Sequence, residues 1–266
     1  MTSSPPEELF PSEDLTLDAF LGGRVRAFQP RRGYRAAMDP VLLAAAVPAR
    51  PGQELLELGC GAGVASLCLA SRVPGLSLTG VERQPAYADL ARRNAAENGA
   101  PLTVVCADLQ MLPSDLRDRS FDHVLANPPY YPAAAGTPAR DAGREAALRE
   151  ETPLKLWTSC ALRRLRPRGW LTMIQAADRL SDLLVALDGA GSVTVLPIAP
   201  RLGRAAGRVI VQVRKQGRSP LRLLAPLVLH RGSRHEGDGE AHSPAAQAIL
   251  REGAPLDLQV RAETRP

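Results

Sequence analysis

Between Glu54 and Cys106, three short apolar segments alternate with two helical ones. This alternation restricts the fold more than any other feature of the chain. Glu54-Leu-Leu-Glu57-Leu58 runs into the glycine turn Gly59-Cys60-Gly61-Ala62-Gly63, then into the apolar helix pattern of residues 64–72. Residues 75–82 form a second strand pattern ending on Glu82. Pro85 to Asn98 is amphipathic and is closed by Asn98-Gly99. Leu102-Thr-Val-Val-Cys106 is the third strand, followed by Asp108. Strands separated by whole helices do not pair as hairpins. They are expected side by side and parallel, with right-handed crossovers and helices on the sheet's faces. The expected class is α/β with a doubly wound, mostly parallel sheet.

A fourth strand, Phe121 to Ala126, ends abruptly at Asn127-Pro128-Pro129-Tyr130, because proline cannot donate to a ladder. Tyr131 follows, then a flexible Pro/Ala loop to Pro138, then the charged stretch 140–151, read as a solvated surface or a lid. A helix is expected over 154–165. Pro167-Arg168-Gly169 is read as a turn into a strand at 170–174, and a helix follows over 177–189. Residues 192–198 and 208–213 form a closing antiparallel hairpin. From Gly217 the chain reads as irregular apart from Leu227-Val-Leu229, and 231–243 as mobile. At the other end, 1–16 reads as a flexible tail without the basic and apolar regions of a signal peptide. Asp39 reads as a helix N-cap with Pro40 at the first helical position. The expected division is a tail (1–16), one domain (17–215, with 17–50 beside the site) and a C-terminal extension (216–266).

The four cysteines, Cys60, Cys68, Cys106 and Cys160, have no Cys-x-x-Cys spacing, and the four histidines form no metal cassette. No metal is therefore expected, and a reduced, cytoplasmic setting is. No apolar run approaches the roughly 18 residues of a membrane span. Only Lys155 and Lys215 are lysine, so 31 of the 33 basic residues are arginine. Arginine's planar fork suits phosphate, although an arginine- and alanine-rich chain also reflects base composition. The loop Gln29-Pro-Arg31-Arg32-Gly33-Tyr34-Arg35 concentrates that chemistry.

In an open α/β sheet, ligands bind at the carboxyl ends of the strands. Four features fall there. Alternate glycines at 59, 61 and 63 allow close backbone approach to a ligand. Glu82 can accept both hydroxyls of a ribose, and Asp108 can face an adenine amine. The Asn127 side-chain oxygen and the Pro128 carbonyl are two acceptors that suit an exocyclic NH2, beside the flat face of Tyr130. By itself the tetrapeptide also fits a plain loop in a chain with 24 prolines.

Together these residues resemble a class I S-adenosylmethionine-dependent methyltransferase of the amino-methylating branch, over roughly residues 17–215. Within that branch the chain is most similar to the bacterial tRNA1(Val) adenine-37 N6-methyltransferase family. The similarity rests on Phe28-Gln29-Pro30 through Tyr34, Met38-Asp39-Pro40-Val41-Leu42-Leu43-Ala44, Tyr130-Tyr131 and Arg204-Ala-Ala-Gly-Arg208-Val209. The resemblance implies a seven-stranded Rossmann-like sheet and S-adenosylmethionine as cofactor. Gly59, Gly61 and Gly63 would line its methionine part, Glu57 would lie near its amino group, and Asp39 at the same end. Glu82 would hold the ribose and Asp108 the adenine. Asn127, Pro128, Pro129 and Tyr130 would be catalytic. Tyr130, Tyr131, Arg31, Arg32 and Arg35 would meet an RNA substrate, expected to be tRNA. The enzyme is expected to act as a monomer. The alternatives are guanine N2 of ribosomal RNA, a protein glutamine amide, or an RNA-binding module without catalysis.

Overall fold

The computed structural model describes residues 10–132, 149–150, 152–232 and 242–259. Five strands build the parallel part of the sheet: β3 (Glu54–Leu58), β4 (Ser77–Glu82), β5 (Leu102–Cys106), β6 (Phe121–Ala126) and β9 (Leu165–Ala176). Strand β9 pairs antiparallel with β11 (Arg208–Lys215), which pairs antiparallel with β10 (Gly191–Ala199). The order across the sheet is β10-β11-β9-β6-β3-β4-β5. The doubly wound sheet and the closing hairpin are thus as expected. Two further two-residue strands, β12 (Arg222–Leu223) and β13 (Leu227–Val228), extend the β10 edge in parallel.

Strand side chains alternate between faces, and both faces are covered. On β3, Leu55 enters one apolar cluster with Leu42, Leu67 and Leu90, while Leu56 and Leu58 enter the other with Phe121, Trp157 and Leu165. The first face is packed by α1 (Met38–Ala46), α2 (Val64–Arg72) and α3 (Pro85–Glu97). The second is packed by α4 (Ser114–Arg117), α5 (Leu154–Arg164) and α6 (Leu180–Ala186). Among the described residues no helix is long and apolar enough to cross a membrane.

Four expectations need correction. Residues 12–16 are not a loose tail: β1 (Leu15–Phe20) pairs antiparallel with β2 (Val25–Pro30) through the Leu21–Gly23 turn, and Leu15 is buried. Asn94 on α3 and Asn98, the C-cap that follows it, hold that hairpin. Asn94 accepts from Phe28 N and donates to Phe28 O, and Asn98 does the same with Arg26. Asp39 is not an N-cap. The helix starts at Met38, Ala37 gives no side-chain cap, and the Asp39 carboxylate is engaged elsewhere. Pro167-Arg168-Gly169 does not precede a strand but forms an irregularity inside β9, where the register against β6 shifts between Phe121 and His123. Finally, the C-terminal extension contains α7 (Pro244–Glu252), whose N-cap Ser243 accepts from Ala246 N and whose C-cap is the left-handed Gly253. Ala246, Ile249 and Leu258 join the core of the first face. Leu256 N donates to Ala45 O, and Gln259 donates to Gln212, which donates to Ala46 O. Residues 244–259 therefore belong to the domain. The expected tail at 1–9, the loop at 133–138 and the lid or surface at 140–148 and 151 lie outside the described residues.

Candidate active site

The carboxyl ends of β3, β4, β5 and β6 open onto a cavity of about 340 Å³. Gly59 and Gly61 form its floor with φ of +64° and +52°, a region that L side chains rarely adopt. A Cβ on Gly59 would lie 2.5 Å from Cη2 of the buried Trp157. The turn is fixed from two sides. Asn94 Nδ2 donates to Ala62 O at 2.9 Å, and Gly61 N donates to Glu82 Oε2 at 3.0 Å. Gln84 N donates to the other Glu82 oxygen at 2.8 Å. Each oxygen keeps a further acceptor site. Burial raises the Glu82 carboxyl above the usual carboxylate range, against the pull of these amides.

Glu57, on β3, accepts from Ser66 N at 3.0 Å and from the Ser66 hydroxyl, across the first turn of α2. Its complete burial pushes its carboxyl up to about 7. Asp108 accepts from Gln110 N at 2.8 Å and borders the cavity beyond β5.

The loop after β6 is tied down residue by residue. Gln175 Nε2 donates to Pro129 O at 3.2 Å. The Tyr130 hydroxyl donates to Asp39 Oδ2 at 2.7 Å. Arg208 Nε lies 2.7 Å from Asp39 Oδ1, and its guanidinium sits 5.7 Å above the Tyr130 ring. Burial, then the Asp39 charge, raises the Tyr130 and Tyr34 hydroxyls beyond the ordinary phenol range, so both stay protonated. Asn127 has its amide nitrogen 3.5 Å from the Tyr34 hydroxyl, while its buried side-chain oxygen has no partner among the described residues. Among the described residues none donates to the Pro128 carbonyl.

The cavity thus gathers Asp39, Glu57, Gly59, Gly61, Glu82, Asp108, Asn127, Pro128, Pro129 and Tyr130. Gly63 is not among the lining residues. It is the left-handed N-cap of α2, packed on Leu102 and Ala91. Arg35 borders the cavity, but its guanidinium is paired with Asp18 and bonded to Thr16 and Pro30 O. Arg31 and Arg32 are exposed outside it, and Arg31 donates to Glu13 O. The backbone of Tyr131–Pro132 (β7) pairs with Arg149–Glu150 (β8), and the Tyr131 side chain lies outside the description. Tyr34, Tyr87, Trp157 and Arg208 also line the cavity and were not among the site residues expected from sequence. One signal was available: Tyr34 and Arg208 lie in two of the stretches on which the resemblance rests.

The family described as methyltransferase small domain matches residues 38–141. A protein from Porphyromonas gingivalis named tRNA1(Val) (adenine(37)-N6)-methyltransferase is 35% identical over 175 residues, 62% of this chain and 68% of that protein. One of the same name from Dickeya chrysanthemi is 30% identical over 234 residues, 84% of this chain and 88% of that protein. A crystal structure of a predicted O-methyltransferase from Agrobacterium tumefaciens superposes with a TM-score of 0.69 at 26% identity, covering 84% of this chain and all of that one. With 30% identity over 88% of the Dickeya protein and 35% over 68% of the Porphyromonas one, the chain belongs to the tRNA1(Val) (adenine(37)-N6)-methyltransferase family.

Proposed function

We propose that this chain is an S-adenosylmethionine-dependent methyltransferase acting on the exocyclic N6 of an adenine in tRNA, position 37 of a tRNA1(Val)-type molecule. The observation that carries the reading is the Asn127 oxygen, a buried acceptor with no partner among the described residues, none of which donates to the adjacent Pro128 carbonyl either. A buried acceptor left unpaired costs about 1–3 kcal/mol, and an arriving NH2 removes that cost.

The residues present fit the cofactor. Asp39, Glu57, Glu82 and Asp108 bring four carboxylates to one cavity, a donor set suited to a ligand carrying a sulfonium and an ammonium. Glu82 would take the ribose hydroxyls on its free lone pairs, Asp108 the adenine edge, and Glu57 and Asp39 the amino-acid end. The side-chain-free backbone at Gly59 and Gly61 would let the methionine part approach closely. When bound, the cofactor supplies an electrophilic methyl group.

The chain's own residues then act on the acceptor nitrogen. Asn127 Oδ1 and Pro128 O accept from the two N6 hydrogens. This draws the nitrogen away from conjugation with the ring and directs its lone pair into the cavity. Gln175 and Asp39 hold the loop in that geometry, so that little reorganisation accompanies attack. The Tyr130 ring, with Arg208 on one face, offers its other face to a base turned out of its stack. No basic side chain is needed before attack, because the methylated nitrogen is strongly acidic and loses its proton to solvent. The enzyme is taken as a cytoplasmic monomer.

Guanine N2 and a glutamine amide present the same NH2, and no residue of this cavity favours them. The test supplies labelled S-adenosylmethionine with tRNA, ribosomal RNA and protein in separate reactions. Label in tRNA alone is the expected outcome. Label in protein or ribosomal RNA overturns the substrate.

A further inference from the structure

The amino ends of the strands carry a second concavity, an open groove on the sheet edge opposite the cavity described above. His123 on β6 borders the groove and Asn127 borders the cavity. The two are four residues apart, roughly 13 Å along the strand. Six arginines line the groove against a single carboxylate, Asp122. Asp122 is already engaged: Arg166 pairs with it at 2.6 Å and with Glu54 at 2.9 Å. Arg50, Arg168, Arg214 and Arg218 have no carboxylate partner among the described residues. Arg214 lies over the Trp170 ring at 4.6 Å. The neighbouring Arg168 charge adds to burial in lowering its affinity for its proton.

The backbone carries strain at the same place. Among the described residues, three other than glycine have a left-handed φ: Leu21, Arg168 and Gln216. Two of the three border this groove. Arg168 holds φ of +60° at the irregularity in β9, and Gln216 holds +60° just past β11. Such conformations are strained for L side chains and persist where the surroundings enforce them. Uncompensated cations, an arginine stacked on an indole and a strained rim together describe a surface built for a polyanion.

We propose that this groove binds the phosphodiester backbone of the substrate RNA, at a part of the molecule remote from the base in the catalytic cavity. The inference rests on the reading of the substrate as tRNA. A folded RNA that places one base at the carboxyl edge has backbone left over to follow the surface to the amino edge. A short hairpin does not.

The test compares two probes, an unmodified full-length tRNA transcript and a hairpin carrying only the target stem and loop. Binding is read by fluorescence anisotropy across a salt series, independently of methyl transfer. Wild-type protein should bind the full-length transcript more tightly. The variant Arg50→Gln/Arg168→Gln/Arg218→Gln should lose that advantage, about tenfold or more, while its affinity for the hairpin stays the same. The slope of log affinity against log salt should fall by about 2 for the full-length probe. The three side chains are exposed, and calorimetry with S-adenosylmethionine verifies the fold. The double variant Arg50→Gln/Arg218→Gln, which leaves β9 untouched, should show a smaller loss of the same kind. Unchanged full-length binding, or an equal loss for both probes, overturns the proposal. Methyl transfer to another acceptor with the groove's RNA affinity intact would overturn the substrate reading and leave the groove standing.

Discussion

The Tyr130 hydroxyl donates to Asp39 Oδ2 at 2.7 Å, joining residues 91 positions apart in the chain. The bond ties the loop after β6 to the first turn of α1, and Arg208 on β11 closes the arrangement through the second Asp39 oxygen. Removing the carboxylate leaves a phenol and a guanidinium without their partner in a half-buried site. Asp39→Ala should lower kcat/KM by about 10- to 100-fold, equivalent to roughly 1.4–2.7 kcal/mol. Tyr130→Phe, which loses the bond but keeps the ring, should lose less. Steady-state kinetics with tRNA compares the two, and an equal or larger loss in Tyr130→Phe would argue against the ring as the feature that matters.

Asn127→Ala removes one of the two acceptors. Turnover should fall by about 100-fold or more, the scale seen when a positioned polar group is deleted from a reacting centre. Cofactor affinity should change only a few-fold. Single-turnover rates with calorimetry separate these effects, and weakened cofactor binding at an unchanged rate would contradict the assignment.

Glu82 differs from Asn127 in where its loss should appear. Its oxygens fix Gly61 N and Gln84 N and are the acceptors proposed for the ribose hydroxyls. Charged hydrogen bonds contribute about 1.5–3 kcal/mol each. Glu82→Ala should weaken cofactor binding at least tenfold, and an unchanged dissociation constant would refute the role.

Glu57 predicts a pH dependence. Its carboxyl is raised from 4.5 to about 7 by burial. Below 4.5 both folded and unfolded states hold the proton. Between 4.5 and 7 the unfolded state has lost it while the folded state retains it, so ligand-free stability falls as pH rises through this window and levels off above 7. Glu57→Gln should remove that component of the slope in denaturant titrations. If Glu57 receives the cofactor's amino group, wild-type affinity should also rise as pH climbs from 6 to 7.5, and the variant's should not.

The C-terminal residues 244–259 should behave as core rather than as appendage. Ser243→Ala removes the N-cap bond to Ala246 N and should cost about 1 kcal/mol. Ile249→Ala, at a buried position, should cost about 2–5 kcal/mol. A variant with wild-type thermal stability at Ile249 would contradict the placing of α7 in the core of the first face.

The sheet was legible because parallel strands buried on both faces write continuous apolar runs, and Leu55-Leu56 and Val124-Leu125 are such runs. The strand-end residues were legible because crossover topology sends their ends to one edge. Features that depend on tertiary pairing were not. Asp39 carries the local signature of a helix cap, but a phenol from the loop after β6 and a guanidinium from β11 recruit its carboxylate. Leu15 and Thr16 read as the end of a polar tail because what makes them part of a strand is Val25–Pro30 opposite, held in turn by Asn94 of α3 and its C-cap Asn98. Arg31, Arg32 and Arg35 look alike in sequence, yet Asp18 holds the guanidinium of Arg35 and leaves the other two outside the cavity. The C-terminal helix is a different case: Ser243-Pro244 at its start and Gly253 at its end are ordinary boundary signals, obscured by the glycine- and charge-rich residues before them.

The most direct test of the central claim is nucleoside analysis of a tRNA transcript after incubation with the protein and S-adenosylmethionine. The two acceptors after β6 predict N6-methyladenosine as the product with the wild-type chain and its loss with Asn127→Ala. Methylation on a ring nitrogen or carbon of adenine, or as N2-methylguanosine, would contradict an exocyclic adenine amine held between Asn127 and Pro128.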